Sequence, residues 1–307
     1  MKCLLCNSNN VSELEKIPTK RVVDLYYQAY KSNFSYLFTE PYISLMECAD
    51  CDLRFYSPSI TGDNNFYSVL QKKSWYYREE KYEYKFASSF INKGEKVLDI
   101  GCGTGAFSNM IEMADFTGLE FSQDAIHKGE SLGRKIIAES IEEHSLHNSN
   151  TYDVVTAFQV LEHISGINQF IKSSANCVKP GGLLIVAVPS DESYIKFKSN
   201  AILNMPPRHI SRWTDKALYS IAKIIDFNVV EIHHEKLDPD HREDYLTTLI
   251  ERSLLRNLEK PAPLVEDGII YRVRRKVTDI LTPIILKNGI DPAWSVTGQC
   301  VIAVYKK

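Results

Sequence analysis

Val97-Leu98-Asp99-Ile100-Gly101-Cys102-Gly103-Thr104-Gly105 is the stretch that decides the fold. An apolar strand carries one acid, Asp99, two places before the first of three alternating glycines. Glycine lets a backbone turn tightly and approach a ligand closely. A buried carboxylate at the strand end can orient such a loop. The stretch therefore predicts a strand, a ligand-cradling turn and the start of a helical segment.

Working outward, strands are predicted over 96–100, 116–121, 135–138, 152–158, 182–188 and 227–233, each rich in Val, Ile, Leu or Phe. Helical stretches fall between most of them, at 105–113, 123–132, 166–178 and 214–225. This alternation implies an α/β, Rossmann-like, doubly wound sheet covered on both faces. A last strand, Cys300 to Tyr305, follows a long detour broken by Pro239, Pro261, Pro263 and Pro283. The organisation read from the chain is a lobe at 1–60, an aromatic-rich helical connector at 61–92 and a core at 93–237. A helical insertion at 238–295, serving as either a lid or an oligomer surface, precedes the closing strand at 296–307.

Downstream motifs give the glycine loop its meaning. Phe116-Thr117-Gly118-Leu119 ends at Glu120, where a carboxylate can accept both hydroxyls of a ribose. Strand 152–158 runs into Gln159-Val160-Leu161-Glu162-His163, and in Val178-Lys179-Pro180-Gly181-Gly182 the Pro-Gly-Gly is expected to supply a tight turn before the next apolar run. In this order the motifs resemble class I S-adenosylmethionine-dependent methyltransferases. The Val-Leu-Glu-His signature is similar to that of the small-molecule branch, including ubiquinone-type O-methyltransferases. The resemblance implies an antiparallel last strand and a methyl-donor site at Asp99, Gly101, Cys102, Gly103, Glu120, Phe121, Phe158 and Gln159, with Glu139 and Ser140 beside the adenine.

A dinucleotide is the competing cofactor, since Gly101-x-Gly103-x-x-Ala106 meets a permissive fingerprint. Asp99 stands where dinucleotide folds run apolar, and the later motifs have no role there. The methyl donor is the reading kept.

Cys3-Leu4-Leu5-Cys6 and Cys48-Ala49-Asp50-Cys51 are two Cys-x-x-Cys knuckles, enough for one closed tetrahedral zinc site. The second knuckle and its flank, through Phe55, resemble the zinc-ribbon-like segment of bacterial sugar and polysaccharide methyltransferases. Those usually carry glycine after the last cysteine; this chain has Asp52. Cys102, Cys177 and Cys300 are read as packing residues. About half of the aromatic residues fall between Asp24 and Phe86, reading mainly as a small core of large rings.

The chain's 307 residues, net charge of −3 and ordinary composition give no electrostatic case for nucleic acid or a membrane surface. Neither a secretory leader nor a run of ~20 apolar residues is seen, so a cytoplasmic protein with reduced thiols is expected. On the acceptor side, His163 and His209 are the candidate bases, the latter within Pro206-Pro207-Arg208-His209-Ile210-Ser211-Arg212-Trp213. Arg208 and Arg212 are candidate grips for a phosphate. Ubiquinone-type relatives hold a divalent ion with two glutamates and this histidine; Gln159 replaces the first glutamate, so no catalytic metal is expected. The function expected is methyl transfer to a small-molecule or glycan acceptor, foremost a sugar hydroxyl, with a homo-oligomer admitted. The rivals are C-methylation of a keto sugar nucleotide, an RNA methyltransferase disfavoured by the acidic balance, and a non-catalytic scaffold.

Overall fold

The computed structural model describes residues 1–73, 78–255, 261–287 and 296–307. Tyr76 and Tyr77, part of the aromatic-rich connector, lie outside the described residues, as does part of the insertion.

The larger sheet has seven strands. They are β4 (Lys96–Ile100), β5 (Asp115–Leu119), β6 (Ile136–Ile137), β7 (Tyr152–Phe158), β8 (Val178–Pro189), β10 (Asn228–Lys236) and β11 (Thr297–Lys306). The spatial order is β10-β11-β8-β7-β4-β5-β6. β4 runs parallel to both β5 and β7, while β11 is antiparallel to β8 and β10. Chain order therefore reverses between β4 and β7, and a crevice opens at the carboxyl ends of those strands. The glycine loop and the Glu162-His163 turn are the segments that leave β4 and β7 there.

Two differences from the sequence reading have local causes. The helix expected at 105–113 shrinks to a 3-10 turn, Ala106–Met110, because Gly105 enters it at φ +76° and Phe107 is pulled into the core. Pro180-Gly181-Gly182 forms no turn outside a strand. It is a bulge inside β8, where the partner of Tyr152 is Val178 and that of Val154 is already Leu183. Gly181 adopts φ +80°, and a Cβ on Gly182 would meet the Asp153 carbonyl oxygen at 2.6 Å. Only glycine suits both places.

The helices packed around this sheet are α4 (Gln123–Ser131), α5 (Ile141–His147), α6 (Ile167–Cys177) and α7 (Asp215–Ile225). Three of them have clear start signals, the first being Ser122, which caps α4 by accepting from the Ala125 amide. Thr214 caps α7 by accepting from the Ala217 amide, and Ser140 and Glu143 form a capping box on α5.

The amino-terminal lobe is a second sheet of β1 (Val11–Pro18), β2 (Tyr42–Cys48), β3 (Arg54–Ser57) and β9 (Ser211–Arg212), in that order. Helices α1 (Thr19–Tyr30) and α2 (Asn64–Gln71) accompany it, whereas α3 (Tyr82–Ser88) packs on the larger sheet through Tyr84 and Ala87. Tyr26, Phe34 and Phe66 meet edge to face at centroid distances of 4.9 to 6.0 Å, giving the lobe the ring-built core the sequence suggests. The lobe is not an appended bead. β9 comes from the Pro-Pro-Arg-His loop of the core, and Leu5, Leu53 and Phe55 pack in the same apolar cluster as Trp213 and Leu218.

The insertion supplies α8 (Arg242–Leu254) and α9 (Gly268–Lys287). Among the described residues no helix is long and apolar enough to cross a membrane.

Candidate active site and metal centre

Glu120, at the end of β5, ties one end of the crevice together. Its Oε2 accepts from the Gly103 amide at 2.9 Å, and Oε1 accepts from the Phe121 and Ser122 amides at 2.7 and 2.8 Å. The carboxylate thus sits at the lip of the glycine loop, where a diol would compete for the same lone pairs. Gly101 needs its φ of +69°, and a Cβ there would strike Val160 Cγ2 at 2.6 Å. Asp99 lies beneath the loop, 2 % exposed, and accepts from Thr156 Oγ1 at 2.7 Å. Burial, partly offset by that hydroxyl, pushes its carboxyl up to about 7.

A cleft of ≈ 1130 Å³ runs from this loop to the histidines, lined by Gly101, Cys102, Gly103, Glu120, Phe158, Gln159, His163, Arg208 and His209 among others. Most of the residues named from sequence therefore meet on one wall. Five others, Arg212 among them, do not line it. Asp99 acts from below. Phe121 is 69 % exposed and contributes its amide to Glu120. The Glu139 carboxylate is taken by His144 Nδ1 at 2.8 Å, and the Ser140 hydroxyl by Glu143.

Arg212 is a correction. It is buried, donates from Nε to Asp191 Oδ1 at 2.7 Å, and shares that carboxylate with Arg54, whose Nη1 donates to Oδ2 at 2.6 Å. A guanidinium committed to an ion pair between lobe and core is not a phosphate grip. The motif misled because β9 joins the lobe sheet beside β3, where Arg212 meets the Asp191 carboxylate.

At the cleft wall, His163 and His209, with Glu162 buried behind them, place their ligand atoms within 4.8 Å of one another. His163 Nδ1 donates to the Arg208 carbonyl oxygen at 2.5 Å, and His209 Nδ1 to Asn204 Oδ1 at 3.0 Å. Both imidazoles then present a bare Nε2, each 3.9 Å from Glu162 Oε1. Burial, then the Arg208 charge, lowers His163 to about 4 and His209 well below its usual value. Burial raises Glu162 to about 8, and neither of its oxygens has a hydrogen-bond partner. Neutral lone pairs facing a buried carboxyl suit proton transfer, and their spacing also suits one divalent ion. The sequence reading, which set a metal aside because of Gln159, overlooked that the Pro206–Trp213 loop would bring His209 to a third donor position.

Sequence reasoning also missed Lys81, Glu83 and Tyr84 on or beside α3, Glu235 on β10, and Tyr271 and Arg275 on α9, all of which line the cleft. No motif marks them; only packing of connector and insertion over the sheet edge brings them there.

At the other end of the lobe, the four knuckle cysteines hold their Sγ atoms within 4.8 Å of one another, with Cys3–Cys51 and Cys6–Cys48 both at 3.5 Å. Each knuckle ends on a left-handed residue, Asn7 at φ +60° and Asp52 at φ +64°. Asp52 thus occupies the conformation that glycine fills in the resembling segment, one that Asn and Asp tolerate. The Cys51 thiol, its nearest partner, lowers Cys3 to about 5. Four thiol sulfurs this close together could ligate one metal ion.

Sheet order, glycine loop and acid-tipped second strand define the fold of S-adenosylmethionine-dependent methyltransferases. A family model described as a methyltransferase domain matches residues 74–232, more than half of the chain, and the chain belongs to that family. Ubiquinone biosynthesis O-methyltransferases are similar in sequence. The Vibrio parahaemolyticus protein is 39 % identical over 97 residues, 29 % of this chain and 41 % of its own. The Escherichia coli protein is 31 % identical over 140 residues, 43 % of this chain and 57 % of its own. The Erwinia tasmaniensis protein is 29 % identical over 194 residues, 61 % and 77 % of the two chains. The match thus spans about half the length of the first two relatives. Among solved structures, a SAM-dependent methyltransferase from Archaeoglobus fulgidus shares the fold at TM-score 0.52 and 16 % identity, over 78 % of this chain and 100 % of that one.

Proposed function

We propose that this protein transfers a methyl group from S-adenosylmethionine to a hydroxyl of a polar small molecule, foremost a sugar or nucleotide-linked sugar. One observation carries the reading: the glycine loop with Glu120 and the His163–His209 pair open into one cleft. When bound, the donor supplies an electrophilic methyl group on a sulfonium. Gly101, Gly103 and Glu120 would hold it, Glu120 through the ribose hydroxyls. His163, half-buried on the cleft wall, accepts the acceptor's proton at Nε2, and Glu162 behind it faces the imidazolium that forms. Residues of α3 and α9 line the cleft, and their packing against a bound acceptor would keep water from competing and hold the acceptor in line.

The choice of acceptor rests on the lining. Arg78, Lys81, Lys198, Arg208 and Arg275 stand with Glu83 and Glu235 among the cleft residues, which suits a charged, hydroxyl-rich molecule better than an apolar ring. The names of the ubiquinone-type relatives favour a second reading, a phenolic hydroxyl. Calorimetry with S-adenosylmethionine, then transfer assays on nucleotide sugars, glycans, phenols and RNA, separates them. Micromolar donor binding with turnover confined to phenols overturns the sugar reading; absence of donor binding overturns the whole.

The same reading assigns a structural zinc to Cys3, Cys6, Cys48 and Cys51, with a role in the lobe rather than in catalysis. Elemental analysis is expected to give one zinc per chain, and Cys51→Ser to lose it. Purified protein devoid of zinc yet equally stable with and without chelator contradicts the assignment.

A further inference from the structure

Glu83 on α3 and Glu235 on β10 meet where the last two strands of the larger sheet border the cleft. A carboxylate oxygen of each and the Cys300 Sγ lie within 4.8 Å of one another, and all three residues are buried. A break in strand register brings Glu235 to this place. Between the pairs His234–Val301 and Lys236–Thr297, β10 advances by two residues while β11 advances by four. Such a bulge re-aims the side chain it contains. Gly298 clears the room, since a Cβ there would meet Glu235 Oε1 at 2.6 Å. That oxygen accepts from the Cys300 amide at 2.9 Å.

Glu83 is 6 % exposed and lines the cleft. Among the described residues it has no ion pair and no hydrogen-bond partner beyond its own amide. Lys81, whose charge acts on it, instead places Nζ over the Tyr84 ring, 5.0 Å from the centroid. Burial raises both carboxyls, Glu235 to about 7. Two acids held together out of water are costly unless a positive charge joins them. Three cations of the cleft are committed elsewhere. Arg78 Nη2 pairs with Asp240 at 3.1 Å, Lys198 Nζ with Asp244 at 2.6 Å and Arg275 Nε with Asp279 at 3.0 Å.

We propose, resting on the reading of this cleft as an acceptor site, that Glu83 and Glu235 clasp a protonated amine, so that the acceptor is an amino sugar with its amino group free. The spacing fits. Charge-assisted N–H···O bonds run about 2.7–2.9 Å, so one nitrogen reaches two oxygens up to about 5.5 Å apart. An acetylated nitrogen carries no charge and a single hydrogen, and cannot serve both carboxylates. The clasped ammonium keeps its proton and has no lone pair for the methyl group, which leaves the hydroxyl as nucleophile. A divalent ion suits the place less well. Its third ligand would be Cys300 Sγ, which already accepts from Gln159 Nε2 at 3.3 Å. The donor's own ammonium is set apart by topology, because β7 and β8 stand between β11 and the glycine-loop strand β4.

The test reads binding rather than turnover. Ligand-observed NMR on the full chain, saturated with S-adenosylhomocysteine, compares glucosamine and galactosamine with glucose, galactose and the N-acetylated forms. The free amines are expected to bind at least about 10-fold tighter than their neutral twins. Glu83→Gln and Glu235→Gln should each reduce that preference to within about twofold, with S-adenosylhomocysteine affinity unchanged. Each variant is also expected to melt no lower than the wild type, since it removes one of two crowded acids. Amines that bind no tighter than neutral sugars up to about 10 mM overturn the proposal. So does a preference that survives both substitutions, or Mn2+ binding that both abolish. Variants that weaken S-adenosylhomocysteine instead assign the acids to the donor and overturn it as well. Amine preference in a chain that binds no S-adenosylhomocysteine upholds the cation subsite and fails the methyl-transfer reading alone.

Discussion

Replacing Asp99 by asparagine should make the protein's stability less dependent on pH, in a direction fixed by the burial of this one carboxyl. In the folded chain Asp99 is 2 % exposed, and loss of water pushes its carboxyl up to about 7 against an ordinary value of 3.8. The folded state therefore keeps a proton that the unfolded chain has already released. Such a group costs nothing well below pH 3.8, and its penalty grows as pH rises towards about 7 and levels off above it. Between pH 5 and pH 8 the penalty increases by about 2–3 kcal/mol. The asparagine side chain cannot ionise and carries no such slope. Its spare amide hydrogens lack acceptors, which costs about 1–3 kcal/mol at every pH. Urea unfolding followed by tryptophan fluorescence, at half-unit steps from pH 5 to 8.5, separates slope from offset. The stability of the variant minus that of the wild type is expected to rise by about 2–3 kcal/mol across the range. Glu162 and Glu235, also raised by burial, are present in both proteins and cancel. Parallel profiles would refute the reasoning, because they require Asp99 to ionise alike in the folded and unfolded chain.

Other substitutions test other parts of the structure. Arg212→Ala leaves the Asp191 carboxylate, 3 % exposed as a residue, with Arg54 alone, and is expected to cost about 3 kcal/mol in a denaturant titration while donor affinity stays within twofold. Glu120→Ala removes the carboxylate proposed to hold the donor's ribose and the partner of the Gly103, Phe121 and Ser122 amides, so calorimetry should show donor affinity reduced by about 10- to 100-fold, with stability lowered by about 1–2 kcal/mol. Gly129→Ala, normally favourable in a helix, should instead destabilise by about 1–3 kcal/mol, since its Cβ would lie 2.3 Å from Ile136 Cδ1 and 2.8 Å from the Thr104 carbonyl oxygen. A Gly129→Ala variant as stable as the wild type means that Ile136 and the Thr104 backbone move aside.

The nine-residue glycine stretch, the acid at Glu120 and the alternation of apolar runs settled the fold from sequence, with strand 152–158 matching to the residue. Those features are local: a strand's periodicity, a glycine's permitted φ and an acid at a strand end are written in neighbouring residues. The donor end of the cleft was legible for the same reason, since one loop and two strand ends build it. What lay beyond local pattern was decided by packing. Glu83, Glu235, Tyr271 and Arg275 reach one cleft from segments far apart in the chain, and no spacing rule links them. Arg208 and Arg212 read alike in sequence, yet one lines the cleft and the other is spent on Asp191, because β9 pairs with the lobe. His209 joins Glu162 and His163 only once that loop folds back on the turn after β7. Sequence by itself determined which backbone could be built and which loop is the candidate for holding a methyl donor. The tertiary structure decided which side chains share a low-dielectric space, because burial and pairing depend on contacts between distant segments rather than on the order of residues.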